Sequence, residues 1–155
     1  MEESEELTAL HPNHVKVMRI MALVVAAPFA IGAFVLEMAD LLPTGAFIVP
    51  VLLVAAFLVV RVPLRRYAAR GYMMGEDRLR VVRGILFRSD TIVPFGRVQH
   101  IDVDQGPLER AYGLATLTLH TAGNHNASVT LPGLAEGDAR AMRETIRARI
   151  RRDTM

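Results

Sequence analysis

The side chains best able to do chemistry in this chain are few and scattered. His100, Asp102 and His120 fall on outward positions of two alternating segments, where two imidazoles and a carboxylate could share a divalent cation. A solvated polar strand face has the same pattern, and we expect no bound metal. Ser89 and Ser128 have no histidine pattern beside them. No nucleophile-elbow motif, phosphate-cradling glycine loop or His-Glu-x-x-His occurs. There is no cysteine, so thiol nucleophiles, thiolate metal sites and disulfides are excluded. These observations predict no enzyme and no cofactor.

Positive charge is more concentrated. Nine arginines lie between Arg61 and Arg97 against Glu76, Asp77 and Asp90, and Lys16 is the sole lysine. Arg61, Arg65, Arg66 and Arg70 follow an apolar run at once. They are candidate lipid-headgroup contacts, worth about 1 kcal/mol each near an anionic surface, and they also set membrane topology. Arg78, Arg80, Arg83 and Arg88 form a looser stripe. Arg97, Gln99 and Arg110 either satisfy backbone carbonyls at tight corners or present a basic surface to a partner. Nucleic acid is not an expected partner, because the soluble part lacks interleaved aromatics and Tyr112 stands nearly alone beside its basic residues.

The elements that must position these groups begin with residues 41–60, a stretch of twenty without a charged side chain. As a helix it reaches about 30 Å, the thickness of the hydrocarbon core of a bilayer. Residues 17–36 form the other expected span, apolar from Ile20 through Leu36 behind the cations Lys16 and Arg19, and interrupted by Pro28, where we expect a bend. An acidic leader and the lack of an A-x-A site argue against a cleaved signal peptide. The short connection through Glu37 and Asp40 makes the spans an antiparallel hairpin. Pro43 suits the first turn of the second helix and Pro50 its bent middle. Ala22, Ala26 and Ala30 either form a small-residue packing strip or reflect how common alanine is in such helices. Basic residues outside both spans place both termini in the cytoplasm, which makes the Asn126-Ala127-Ser128 sequon a chance match. Residues 1–16 read as a cytoplasmic tail and 61–71 as a basic juxtamembrane linker.

Beyond Arg70 the period changes from helical to two. Short strands are predicted at 72–74, 79–82, 85–87, 91–94, 98–105 and 115–121, with a last one around Val129 and Leu131. Residues 106–113 read as one helical turn or a compact loop, and 123–126 as a turn. Ala139, Met142, Ile146 and Ile150 mark the apolar face of a C-terminal helix over 135–152. About seven strands and one amphipathic helix describe a small barrel or bent sheet with a helical plug.

The segment from Leu79 through Gly84 to Arg88, and then Thr91-Ile92-Val93-Pro94-Phe95-Gly96-Arg97-Val98-Gln99-His100-Ile101, is similar to the bacterial pleckstrin-homology (PH) domain family. So are Gln105-Gly106-Pro107-Leu108-Glu109-Arg110, Tyr112-Gly113-Leu114-Ala115, Thr121-Ala122-Gly123 and Leu131-Pro132-Gly133-Leu134. The resemblance spans residues 72–150, and the preceding apolar pair fits the small membrane-anchored members. It implies a membrane-anchored α+β chain, in which a transmembrane hairpin is followed by a seven-strand PH-like barrel (72–153) capped by a helix. Arg97, Gln99, Gly106, Pro107, Arg110, Gly113, Thr121, Gly123, Pro132 and Gly133 are its candidate interaction or fold-motif residues. The expected function is a non-enzymatic interaction or assembly module, integral to the cytoplasmic membrane with its PH-like domain in the cytoplasm. Its expected partners are membrane lipids and another membrane protein or a second copy. The alternative is a module that senses anionic lipid.

Overall fold

The computed structural model describes residues 6–122 and 128–153, and comprises two compact units. One is residues 15–65. The other joins the segment before residue 15 to everything from residue 66 onward. Gly123, the expected turn at 123–126 and the sequon asparagine lie outside the described residues.

The first unit is built from two helices, α1 (Asn13–Met38) and α2 (Ile48–Ala68), each with a mean hydropathy of 2.2 over its most apolar window and long enough to cross a bilayer. The second helix and the apolar run do not coincide. Residues 41–47 are turns, with Gly45 at φ +94°. The Glu37 carboxylate accepts the N–H groups of Gly45, Phe47 (3.1 Å) and Ile48 (3.3 Å), satisfying donors at the start of α2 that have no partner within the helix. Pro50 therefore sits in the first turn, where a missing N–H costs little, instead of bending the middle. Pro63 is the interior proline, and α2 continues through the arginines expected in a linker. Ala22, Ala26, Ala30 and Ala33 are sheltered relative to Phe29, which is 68% exposed. Val51, Ala55 and Val59 are likewise partly sheltered on α2.

In the second unit, β1 (Gly71–Met74), β2 (Arg78–Arg83) and β3 (Ser89–Pro94) form one antiparallel sheet in that order. A 3-10 turn, Phe95–Arg97, leads to β4 (Val98–Asp104). The short α3 (Pro107–Ala111), β5 (Leu114–Thr121), β6 (Ser128–Ala135) and α4 (Glu136–Asp153) follow, and β4-β5-β6 is a second antiparallel sheet. Alternation sends Leu79, Val81, Val93, Leu117, Leu119, Val129 and Leu131 into a shared core with Phe95. Ala139, Met142 and Ile146 of α4 cover it. Each fully buried large side chain, Phe95 and Leu117 among them, contributes about 1.5–3 kcal/mol.

The seven-strand barrel is corrected to six described strands in two sheets that do not close on each other. The strand expected at 85–87 is a loop. Gly84 has φ +120°, and a Cβ there would lie 1.8 Å from the Phe87 carbonyl oxygen, so the backbone reverses where extension was expected.

The segment ahead of α1 is not a free tail. Thr8 and Tyr72 exchange backbone hydrogen bonds (2.7 and 3.0 Å), and the His11 N–H donates to the Gly133 carbonyl (2.8 Å). Leu10 between them is 3% exposed in the core, and its carbonyl accepts the Tyr67 hydroxyl at 2.6 Å. This strap bridges the edges of β1 and β6. Its seat is a bulge: the register between β5 and β6 shifts by one, and Pro132 and Gly133 absorb the extra residue. Gly133 has φ +74°, and a Cβ on it would stand 2.5 Å from His14 Cγ. Gly133→Ala should therefore destabilise the domain by about 1–3 kcal/mol and speed amide exchange at His11. Gly96→Ala, where a Cβ meets nothing within 4 Å, should leave both unchanged. Thermal melts and hydrogen exchange of the detergent-solubilised chain check the pair.

Candidate functional site

Most of the residues carrying the family resemblance are used to turn corners. Gln105 donates from Nε2 to the Leu114 carbonyl (2.6 Å), pinning the two ends of the loop around α3. Within it the Glu109 carboxylate accepts the Gly106 N–H (2.8 Å) and the Thr116 hydroxyl (2.6 Å). Pro107 opens the helix where no N–H is needed, and Gly113 leaves it at φ +67°. Pro132 and Gly133 form the bulge under the strap. Thr121 is half-buried at the end of β5.

Arg97, Gln99 and Arg110 are placed differently, since all three side chains are exposed. Corner carbonyls are instead met by Gln105 and by Arg149, whose guanidinium donates to the carbonyls of Gly75 (2.5 Å) and Glu76. The sequence assigned a role to neither: Gln105 stood only as one member of a family motif, and Arg149 sits in a run of helical arginines. Gln99 is the extra residue of a bulge in β4 and lines a groove of about 400 Å³ between that strand and α4. Val98, Ile101 and Ile150 form its apolar part, and Arg143, Arg147 and Arg151 its basic part. Glu144 pairs with Arg143 (3.1 Å) and lies 3.8 Å from Arg147. The groove also runs beside the outer edge of β4, which pairs only with β5 among the described strands.

His100, Asp102 and His120 do meet, as their alternation predicts. Asp102 lies between the two rings, 2.8 Å from His100 Nε2 and 3.1 Å from His120 Nε2, with ring centroids 6.0 Å apart. The three groups are thus bonded to one another, and no cluster of metal-ligand type is found among the described residues.

The arginines expected at the membrane surface divide between the units. Arg61 and Arg65 are exposed on α2. Arg66 and Arg70 belong with the sheets, where Arg83 is their neighbour. The Arg70 guanidinium is held below its ordinary pKa by burial first, then by repulsion from Arg66 and Arg83. The looser stripe is broken by pairing. Arg80 forks onto Asp90 (2.6 and 3.0 Å) and Arg78 meets Asp77 (3.2 Å). Arg80 thereby keeps the Asp90 carboxyl below its usual range.

Glu109 is the residue on which the motif loop turns. Glu109→Ala strands the Gly106 N–H and the Thr116 hydroxyl and should destabilise the domain by about 1–3 kcal/mol. Glu109→Gln should recover part of that loss. Denaturant midpoints of the two variants check this.

Comparison with known proteins places this arrangement. A family model described as a bacterial PH domain matches residues 15–150. The transmembrane protein YdbS of Bacillus subtilis strain 168 is 34% identical over 85 residues, which are 55% of this chain and 52% of YdbS, so the chain spans about half of that relative. A solved structure from Shewanella loihica, of a protein with a pleckstrin-homology domain, aligns with 55% of this chain and 74% of its own at 18% identity and a TM-score of 0.42.

Proposed function

This chain belongs to the bacterial PH domain family, and from that premise we propose that it is an integral membrane protein whose PH-like domain is a non-enzymatic interaction module. Helices α1 and α2 span the cytoplasmic membrane as a hairpin, with both termini and the domain in the cytoplasm. The domain recruits another membrane protein or a second copy. The observation that carries the reading is the groove between β4 and α4. A strand edge offers unpaired backbone donors and acceptors, and an extended segment can add to it while its side chains enter the adjoining groove. Here Arg147 and Arg151 favour acidic side chains on that segment.

A second reading, anionic-lipid sensing, is favoured by the Arg66, Arg70 and Arg83 group. Either way the domain works by binding.

Purification of the full chain from native membranes in mild detergent tests the first reading. A co-purifying membrane protein or a self-assembly is expected, and it should be lost when Arg147 and Arg151 are both replaced by Glu. A monodisperse monomer with no associated protein overturns it.

A further inference from the structure

The loop between β2 and β3 breaks the rule that the rest of the domain obeys. Leu86 and Phe87 are each 90% exposed, and Ile85 is 42% exposed. Three consecutive apolar side chains thus stand clear of a core that has taken in nearly every other large apolar residue of the sheets. The loop is not a loosely placed strand. Gly84 at φ +120° folds the backbone so that its Cα lies against the Phe87 carbonyl, and the reversal directs Leu86 and Phe87 outward. A built turn that displays grease calls for an apolar medium.

The charges around the loop say which medium. Arg83 and Arg88 flank it and are both exposed. Register places Gly71 opposite Val82, so Arg70, just ahead of β1, lies at this same end of the sheet, and Arg66 and Arg83 both act on it. The nearest carboxylate on the hairpin, Asp90, is engaged by Arg80. An apolar tip ringed by arginines matches an anionic bilayer, whose surface attracts the cations and whose boundary layer accepts the apolar residues. Connectivity supports the same occupant. The chain leaves α2 at Ala68, three residues before β1, so a spanning α2 holds the tip at high local concentration near lipid.

We propose that Ile85, Leu86 and Phe87, flanked by Arg83 and Arg88, insert into the headgroup–acyl boundary of an anionic membrane. The proposal rests on the reading of α1 and α2 as membrane spans and is independent of the β4–α4 groove. It gives the domain a second, reversible attachment beside the helical anchor.

The chain contains no tryptophan, so Phe87→Trp creates a single reporter in the full-length protein. The variant is reconstituted into vesicles of phosphatidylglycerol and phosphatidylcholine, with Ala141→Trp on the exposed face of α4 as the comparison. The expected result is a blue-shifted Phe87→Trp emission, quenched by lipids brominated about 5–10 Å below the headgroups. Ala141→Trp should show neither effect. Adding Leu86→Asp should abolish the quenching, and replacing Arg83 and Arg88 with Glu should weaken it in anionic vesicles. Protein that co-floats with vesicles yet shows no bromine quenching of Phe87→Trp overturns the insertion and leaves the anchor standing. Shielding from acrylamide without bromine quenching means that the tip meets protein, and also overturns it. A chain that fails to co-float overturns the anchor and the proposal together.

Discussion

The structure depends on a short strap crossing two sheet edges. Without the paired bonds of Thr8 and Tyr72, and the bond from His11 to Gly133, β1 and β6 would expose adjacent edges and Leu10 would leave the core. A sheet edge left open is a template for unwanted pairing, and here it is covered from within the chain. The covering segment precedes α1, whereas the sheets follow α2. Both flanks of the helical pair therefore belong to one compact body. Helices that cross a bilayer under this constraint must cross it together and return to the side they left.

The same constraint redraws the domain. Periodicity alone suggests a module beginning near residue 72, but a fragment cut there would lack Leu10 and the Tyr67 hydroxyl bond that holds it. The family's glycines and prolines gain their meaning from this geometry. Pro132 and Gly133 place one extra residue where the strap must dock, and Gly133 leaves room for the His14 ring. Gly106, Pro107 and Gly113 perform a similar service around Glu109, whose two carboxylate oxygens hold the loop shut. Binding, where the domain achieves it, must use what these corners leave exposed.

Much of this was legible in the sequence, for reasons that also explain the failures. Strict alternation identified β4 and β5, with Leu117 and Leu119 inward, because one face is buried and the other solvated. The three- and four-residue spacing of Ala139, Met142 and Ile146 identified α4 for the same reason. At 85–87, Ile-Leu-Phe reads as a short strand, since pattern records hydrophobicity and not which way the backbone turns at Gly84. Pro50 was misplaced because the cap on α2 comes from Glu37, eleven residues ahead of Ile48 and invisible to local rules. The strap was missed because nine polar-to-mixed residues with a proline resemble any tail. Its single buried leucine acquires significance only from partners far along the chain. Gln99 was singled out by its motif, yet its bulge and groove arise from pairings that no single segment encodes.

That long separation imposes an order of assembly. The carbonyl of Leu10 is met by a hydroxyl 57 positions later, and Asn13 reaches Tyr112 across 99. During synthesis the strap emerges before the sheets and stays unpartnered until both are made. Closing so large a loop is entropically unfavourable in a free chain, and slow. Were α1 and α2 inserted as a pair, both ends of the loop would be tethered to one bilayer, and that search would be shorter. The domain thus closes last at a segment made before either sheet.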